Sequence, residues 1–343
     1  MSTTTQTLRT DGGGSPGAPG RQARARARGF GPSGMAWLVW RQHRTAFLLL
    51  LVVAAVTTAV LAWLAQDASS AVAAVEGSSP SPVATAALDT AYQRLDLLGL
   101  ALAGLPVIIG VFIGAPLFAG DLESGTAKFV CVQSHSRWSW VGTKLGMAAL
   151  FSAVAALSTG IAMKALWTPL ANHMAVNADF TSASGFDTTG PVAVALAVLG
   201  LLIGAAAGLL TRRTLPAMVV TFAALLAVKT VWEPMRMMFA TTVTKTTGDG
   251  LFGEGDAPEV PVNALEVDTS YVTDDGSLLG WGSCVEESDR PACLRRDGVV
   301  GWSKEYLPFS HMDAMQWAAS AALAGALLAM AAVLIYAARR ALR

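Results

Sequence analysis

Six stretches of this chain are apolar for long enough to cross a bilayer, and no other feature restricts its fold as strongly. They run over 46–65, 97–119, 145–166, 191–210, 215–231 and 315–338, each close to the ~20 residues a helix needs to traverse the hydrocarbon core. In lipid the backbone N–H and C=O groups must be satisfied within the segment, so the runs are expected to be helices. Of the 343 residues, 53% are hydrophobic and only 14% charged, where a soluble chain carries about 25% charged residues. The expectation is an all-α membrane protein with six transmembrane helices. The first run has a small-residue site behind it, Ala71-Val72-Ala73. It is longer than an ordinary signal-peptide core, however, and reads as a retained anchor.

Charge sets the orientation. Residues 1–45, 120–144, 211–214 and 339–343 together hold 15 Lys and Arg against 3 Asp and Glu. The alternate segments, 66–96, 167–190 and 234–314, hold 7 against 20. Basic residues in short loops mark the cytoplasmic side. Both termini are therefore expected in the cytoplasm, and 234–314 becomes a large extracellular loop between helices 5 and 6.

Residues 1–34, rich in Gly, Pro and Arg, read as a disordered basic tail. No aromatic residue is interleaved among Arg21, Arg24, Arg26 and Arg28, so anionic membrane lipid, not nucleic acid, is the expected partner. In 35–45, Trp37 and Trp40 precede Arg41 and Arg44; this mixture suits a short interfacial helix at the headgroup level. The expected division is thus tail 1–34, interfacial helix 35–45, helices 1–5 over 46–233, outer loop 234–314, and helix 6 with a basic end over 315–343.

Within the spans, Gly110 and Gly114 are four apart, as are Gly200, Gly204 and Gly208. Such spacing lets helix backbones approach closely, within one subunit or between two. Pro106 and Pro116 make the second span a candidate for kinking. Lys164, Lys229 and Glu233 lie toward the outer helix ends, where they are expected to anchor the boundary by snorkelling; Lys229 and Glu233, four apart, can pair.

No phosphate-binding glycine loop, zinc-protease or serine-hydrolase motif occurs. The four histidines, His43, His135, His173 and His311, are dispersed, which argues against a metal cluster. Neither catalysis nor a directly bound cofactor is expected. Cys284 and Cys293, alone in the outer loop with eight residues between them, are expected to form a disulfide, while Cys131 stays a cytoplasmic thiol.

The stretch 105–144 changes abruptly from apolar to polar at Asp121-Leu122-Glu123-Ser124-Gly125-Thr126. Gly120 can end the second helix, and Asp121 and Glu123 suit the amino end of a short following helix. Residues 126–132 could form that helix and present Phe129 to a partner. With Asp121, Glu123, Gly125, Thr126 and Arg137 in this order after the second span, the chain resembles the permease subunits of ABC-2-type transporters. The segment Trp40-Arg41-Gln42-His43-Arg44 is similar to the start of many actinobacterial members, and Tyr306-x-Pro308 and Gln316 are similar to theirs near the last span. The resemblance implies a cytoplasmic loop docking on a separate ATP-binding subunit, which supplies the ATP. It also implies a second permease subunit, identical or not, export as the direction, and a bacterial plasma membrane location. A rival is a membrane sensor or anchoring protein whose outer loop binds a ligand. Lipids, peptides and antibiotics all remain open as substrates.

Overall fold

A computed structural model describes residues 34–76, 81–125, 137–171, 179–247 and 257–341. Six of its helical stretches are long and apolar enough to cross a membrane.

The first helix, α1 (Met35–Glu76), runs unbroken for 42 residues, about 63 Å at 1.5 Å per residue. The interfacial helix expected over 35–45 is therefore not a separate element. Trp37, Trp40, Arg41 and Arg44 occupy the first turns of the spanning helix itself. The reason lies in the residues: 35–76 contains neither Gly nor Pro, so nothing interrupts the hydrogen-bond ladder. The same logic corrects the loop expected over 66–96. Helix α1 continues to Glu76, and α2 (Pro82–Ala103) begins at once, with Ser81 accepting from Ala84 N–H at 3.1 Å and Pro82 in the first turn. Polar residues there do not end the helix. Arg94 and Asp67, 2.7 Å apart, tie the two helices together.

The second span continues through α3 (Leu105–Ile109), a π-helical turn (Gly110–Gly114) and α4 (Ala115–Glu123). Pro116 has no N–H to donate, and the ladder beside it is loosened: Ala115 N–H reaches back five residues to Gly110 O. The remaining spans are α5 (Arg137–Ala171), α6 (Gly190–Thr211), α7 (Thr214–Met235, followed by a 3-10 turn Arg236–Phe239) and, after the segment that follows it, α9 (Met312–Ala341).

Helix α6 is the centre of the bundle. Its apolar stretch is 83% buried, against 17–39% for the other five spans. Leu201, Ala197 and Ala205 on it are fully enclosed. The many exposed Leu, Val and Phe side chains on the outer helices, such as Leu49 and Phe112, are what a lipid-facing surface requires.

The segment 234–314, expected as a loop, is more than that. It folds as a four-stranded antiparallel sheet of order β1-β4-β2-β3, from β1 (Val243–Thr247), β2 (Ala264–Thr273), β3 (Leu278–Gly280) and β4 (Val299–Pro308). A short helix α8 (Arg290–Arg296) is stapled to the preceding turn by a disulfide between Cys284 and Cys293. The spans remain all-helical, but the sheet was not anticipated. Its residues alternate between Leu307, Ser303 and Val299 facing inward and half-exposed Tyr306, Lys304 and Trp302, the period-2 pattern of a strand. Leu307 reaches the bundle core, and Phe309 meets Phe180 edge-on at 5.3 Å. The sheet is thereby seated on the bundle.

Candidate functional site

Both described chain ends lie at one end of the bundle, and there the polar residues after the second span are distributed differently from expectation. Gly120 does not end that helix, which runs on to Glu123. Asp121 consequently turns inward and is buried. Its carboxylate meets the ammonium of Lys144, whose side chain is fully enclosed, and accepts from Gln42 Nε2 on α1. Lys144 also donates to Leu117 O at 3.1 Å and lies 5.1 Å from the ring of Trp140 and 6.0 Å from that of Phe118. Asp121 is therefore turned away from the surface, not presented on it. It ties α1, α4 and α5 together beneath a lid of aromatic rings, where an unpaired charge would be costly. His43 lies beside this node and packs on Phe47 at 5.9 Å.

Glu123 is exposed and closes α4. Its carboxylate accepts from Thr214 N–H at 2.9 Å and from Thr214 Oγ1 at 2.8 Å, placing a negative charge at the amino end of α7. Gly125 follows with φ +75° and open space around it, the left-handed position that glycine fills after a helix end. Arg137 opens α5 with an exposed side chain. Thr126 and Phe129, with the helix expected over 126–132, lie outside the described residues, as does Cys131. Trp40 packs on Phe151 at 5.8 Å, Arg41 lies 5.4 Å over Trp37, and Arg44 is exposed. The adjoining turn is closed by Arg212, left-handed at φ 56°, whose guanidinium donates to Arg340 O at 3.0 Å.

The two glycine runs meet one another inside this one chain. A Cβ added at Gly110 would lie 2.6 Å from Gly200 O, and one at Gly114 would lie 2.6 Å from Leu201 O. Gly204 faces Gly110 and Ala115, and Gly208 faces Ala115. The loosened turn of the second span is thus pressed backbone to backbone against the central helix.

At the opposite end, Lys164 pairs with Asp313 at 2.6 Å at the surface. Lys229 departs from expectation. It turns toward Asp187, 3.5 Å away, a carboxylate buried between spans α5 and α6. Asp187 also accepts from Trp232 Nε1 at 2.8 Å, and Arg236 Nε lies 3.5 Å from it. Glu233 is exposed. Gln316 donates to Thr189 Oγ1 at 2.6 Å. Sequence reasoning missed Lys144, Asp187, Arg236 and Gln42 as a set. For Lys144 a signal existed: a lysine seven residues after Arg137, at the start of the apolar run 145–163.

A family model described as ABC-2 membrane transporter related matches residues 36–236, from the first tryptophans to the end of α7. No curated protein and no solved structure matches the chain.

Proposed function

This chain belongs to the ABC-2 membrane transporter related family, and on that premise we propose that it is the permease of an ATP-driven exporter powered by a separate ATP-binding subunit. The bundle end that carries Asp121, Glu123 and Gly125 is the cytoplasmic face in this reading, which the excess of Lys and Arg in its loops supports. The partner binds and hydrolyses ATP, and the connection between α4 and α5 is where it pushes. Two permease chains line the pathway between them.

One observation carries this reading: the residues flanking that connection are wired into four spans at once. Asp121 holds α1 and α5 through Gln42 and Lys144, while Glu123 holds α7 through Thr214. A displacement applied near Gly125 therefore cannot stay local. It moves α4, and with it the turn pressed on Gly200 and Gly204. The mobile wall is the groove that α3, the π-helical turn and α7 form, lined by Val111, Phe112, Met218 and Phe222 with a volume of about 410 Å³.

The test is to purify the full chain with its co-purifying ATPase and measure hydrolysis with and without the permease. Replacing 124–126 by a Gly-Ser linker, with Asp121 and Glu123 kept, should abolish stimulation and leave membrane insertion intact. In a Cys131→Ser background, Ser124→Cys should react with an impermeant maleimide only in inverted vesicles. Labelling in intact cells would overturn the orientation and the coupling role together.

A further inference from the structure

Three observations converge on Lys229. The groove just described is apolar throughout, and Val107 on α3 lines both it and a crevice bounded by Pro106, Leu225, Trp232 and Lys229. Groove and crevice meet at Val107, and among the described residues Lys229 is the one charged residue in either lining. Second, Met218, Phe222 and Lys229 share a face of α7, because four and eleven residues are close to whole numbers of turns. From Met218 to Lys229 the rise is about 16 Å, roughly the hydrocarbon depth of one leaflet. Third, Lys229 is only loosely held. It stands 3.5 Å from Asp187 Oδ2, an oxygen with no hydrogen-bond partner among the described residues. Asp187 is meanwhile served on its other oxygen by Trp232 and approached by buried Arg236.

Resting on the pathway reading above, we propose that this groove takes an amphiphile with an anionic head group, its chain along α3 and α7 and its head on the ammonium of Lys229. The buried part of the cluster holds Arg236 and Asp187, which offset each other, so the accessible Lys229 presents the surplus positive charge. An anion gains a charge-assisted hydrogen bond there, whereas a cationic head meets two like charges in a poorly hydrated site. Glu233, one turn further along α7, is exposed and belongs to neither lining.

The test uses the full chain in nanodiscs of zwitterionic lipid, with radiolabelled dodecyl phosphate, dodecyl maltoside and dodecyltrimethylammonium as probes. Dodecyl phosphate should bind roughly tenfold tighter than the neutral probe, the worth of one charge-assisted hydrogen bond. Lys229→Gln should erase that preference and Lys229→Arg should keep it, which separates loss of charge from loss of fold. Phe222→Trp, which fills the groove, should weaken all probes. If the preference is absent or survives Lys229→Gln while Phe222→Trp still blocks binding, the head-group assignment fails and the groove stands. If Phe222→Trp changes nothing, the groove reading fails as well. Binding by the monomer but not by the dimer would mean that a second copy fills the groove, and the proposal would fall.

Discussion

The carboxylate of Glu123 sits on the first turn of α7, accepting both the N–H of Thr214 at 2.9 Å and its hydroxyl at 2.8 Å. Two spans that are 91 residues apart in sequence are joined by this contact at the end where the chain turns. Glu123→Ala should expose the first amides of α7 to solvent. Hydrogen exchange over 214–217 should speed up, and stimulation of the partner ATPase should fall. Thr214→Ala should do the same, and the double variant should add little to either, as expected for two halves of one contact.

Asp121 and Lys144 form a pair in which the lysine is wholly enclosed. Asp121→Ala strands a buried ammonium and should cost about 3–5 kcal/mol, read as a large fall in the thermal midpoint of the purified chain. Asp121→Leu with Lys144→Met removes both charges and should restore most of that loss. A double variant as unstable as Asp121→Ala would show that the pair is not the origin of the effect.

Gly204 faces the backbone of the second span, with Ala115 N 2.8 Å from where a Cβ would stand. Gly204→Ala should force α6 and the π-helical turn apart, costing about 1–3 kcal/mol as overpacking does. Gly142→Ala is the control, since nothing lies within 4 Å of its added carbon. It should leave the thermal midpoint unchanged or raise it, alanine being the better helix former.

The staple between Cys284 and Cys293 closes a short loop in the sheet domain. Chain entropy assigns such a loop about 2–3 kcal/mol. Cys284→Ser with Cys293→Ser should make the sheet domain more sensitive to protease while the helical signal in circular dichroism stays constant. Equal sensitivity in both forms would contradict the expectation.

Asp275 shapes the turn between β2 and β3, accepting from Thr273 Oγ1 at 2.6 Å and from Ser277 N–H at 2.9 Å. These hydrogen bonds favour the ionised form and hold its carboxyl down at about 2, against an ordinary 3.8. A depressed value means that the stabilisation is complete above pH 3.8 and is lost as pH falls through about 2. The wild type should therefore resist protease better than Asp275→Asn by a constant margin between pH 7 and 4. Below pH 4 the wild type should lose its advantage over Asp275→Asn.

Much of this molecule was legible from residue order. Runs of Leu, Val and Ala long enough to cross a bilayer fix the six spans, because lipid offers the backbone no partner but itself. The glycine spacings pointed to close helix contact, and Pro106 and Pro116 to a disturbed second span. Less legible was where helices end in water. Sequence suggested loops at 66–96 and a separate helix at 35–45, because polarity was read as termination. Without Gly or Pro the helix simply continues beyond the membrane. The sheet in 234–314 was hidden for a related reason: its alternation is short, and its strands pair residues up to 63 positions apart, as Val243 does with Tyr306.

Sequence by itself determined what this chain is made of: its spans, its charge asymmetry and its membership of a transporter family through 36–236. Only the tertiary structure decided the pairing of its charges. Asp121, read as a contact for a partner, is claimed by Lys144, and Lys229, read as a boundary anchor beside Glu233, is claimed by Asp187. A charge near lipid takes whichever counter-charge the packed helices bring within reach. That choice depends on helix rotation and depth, which residue order alone leaves open.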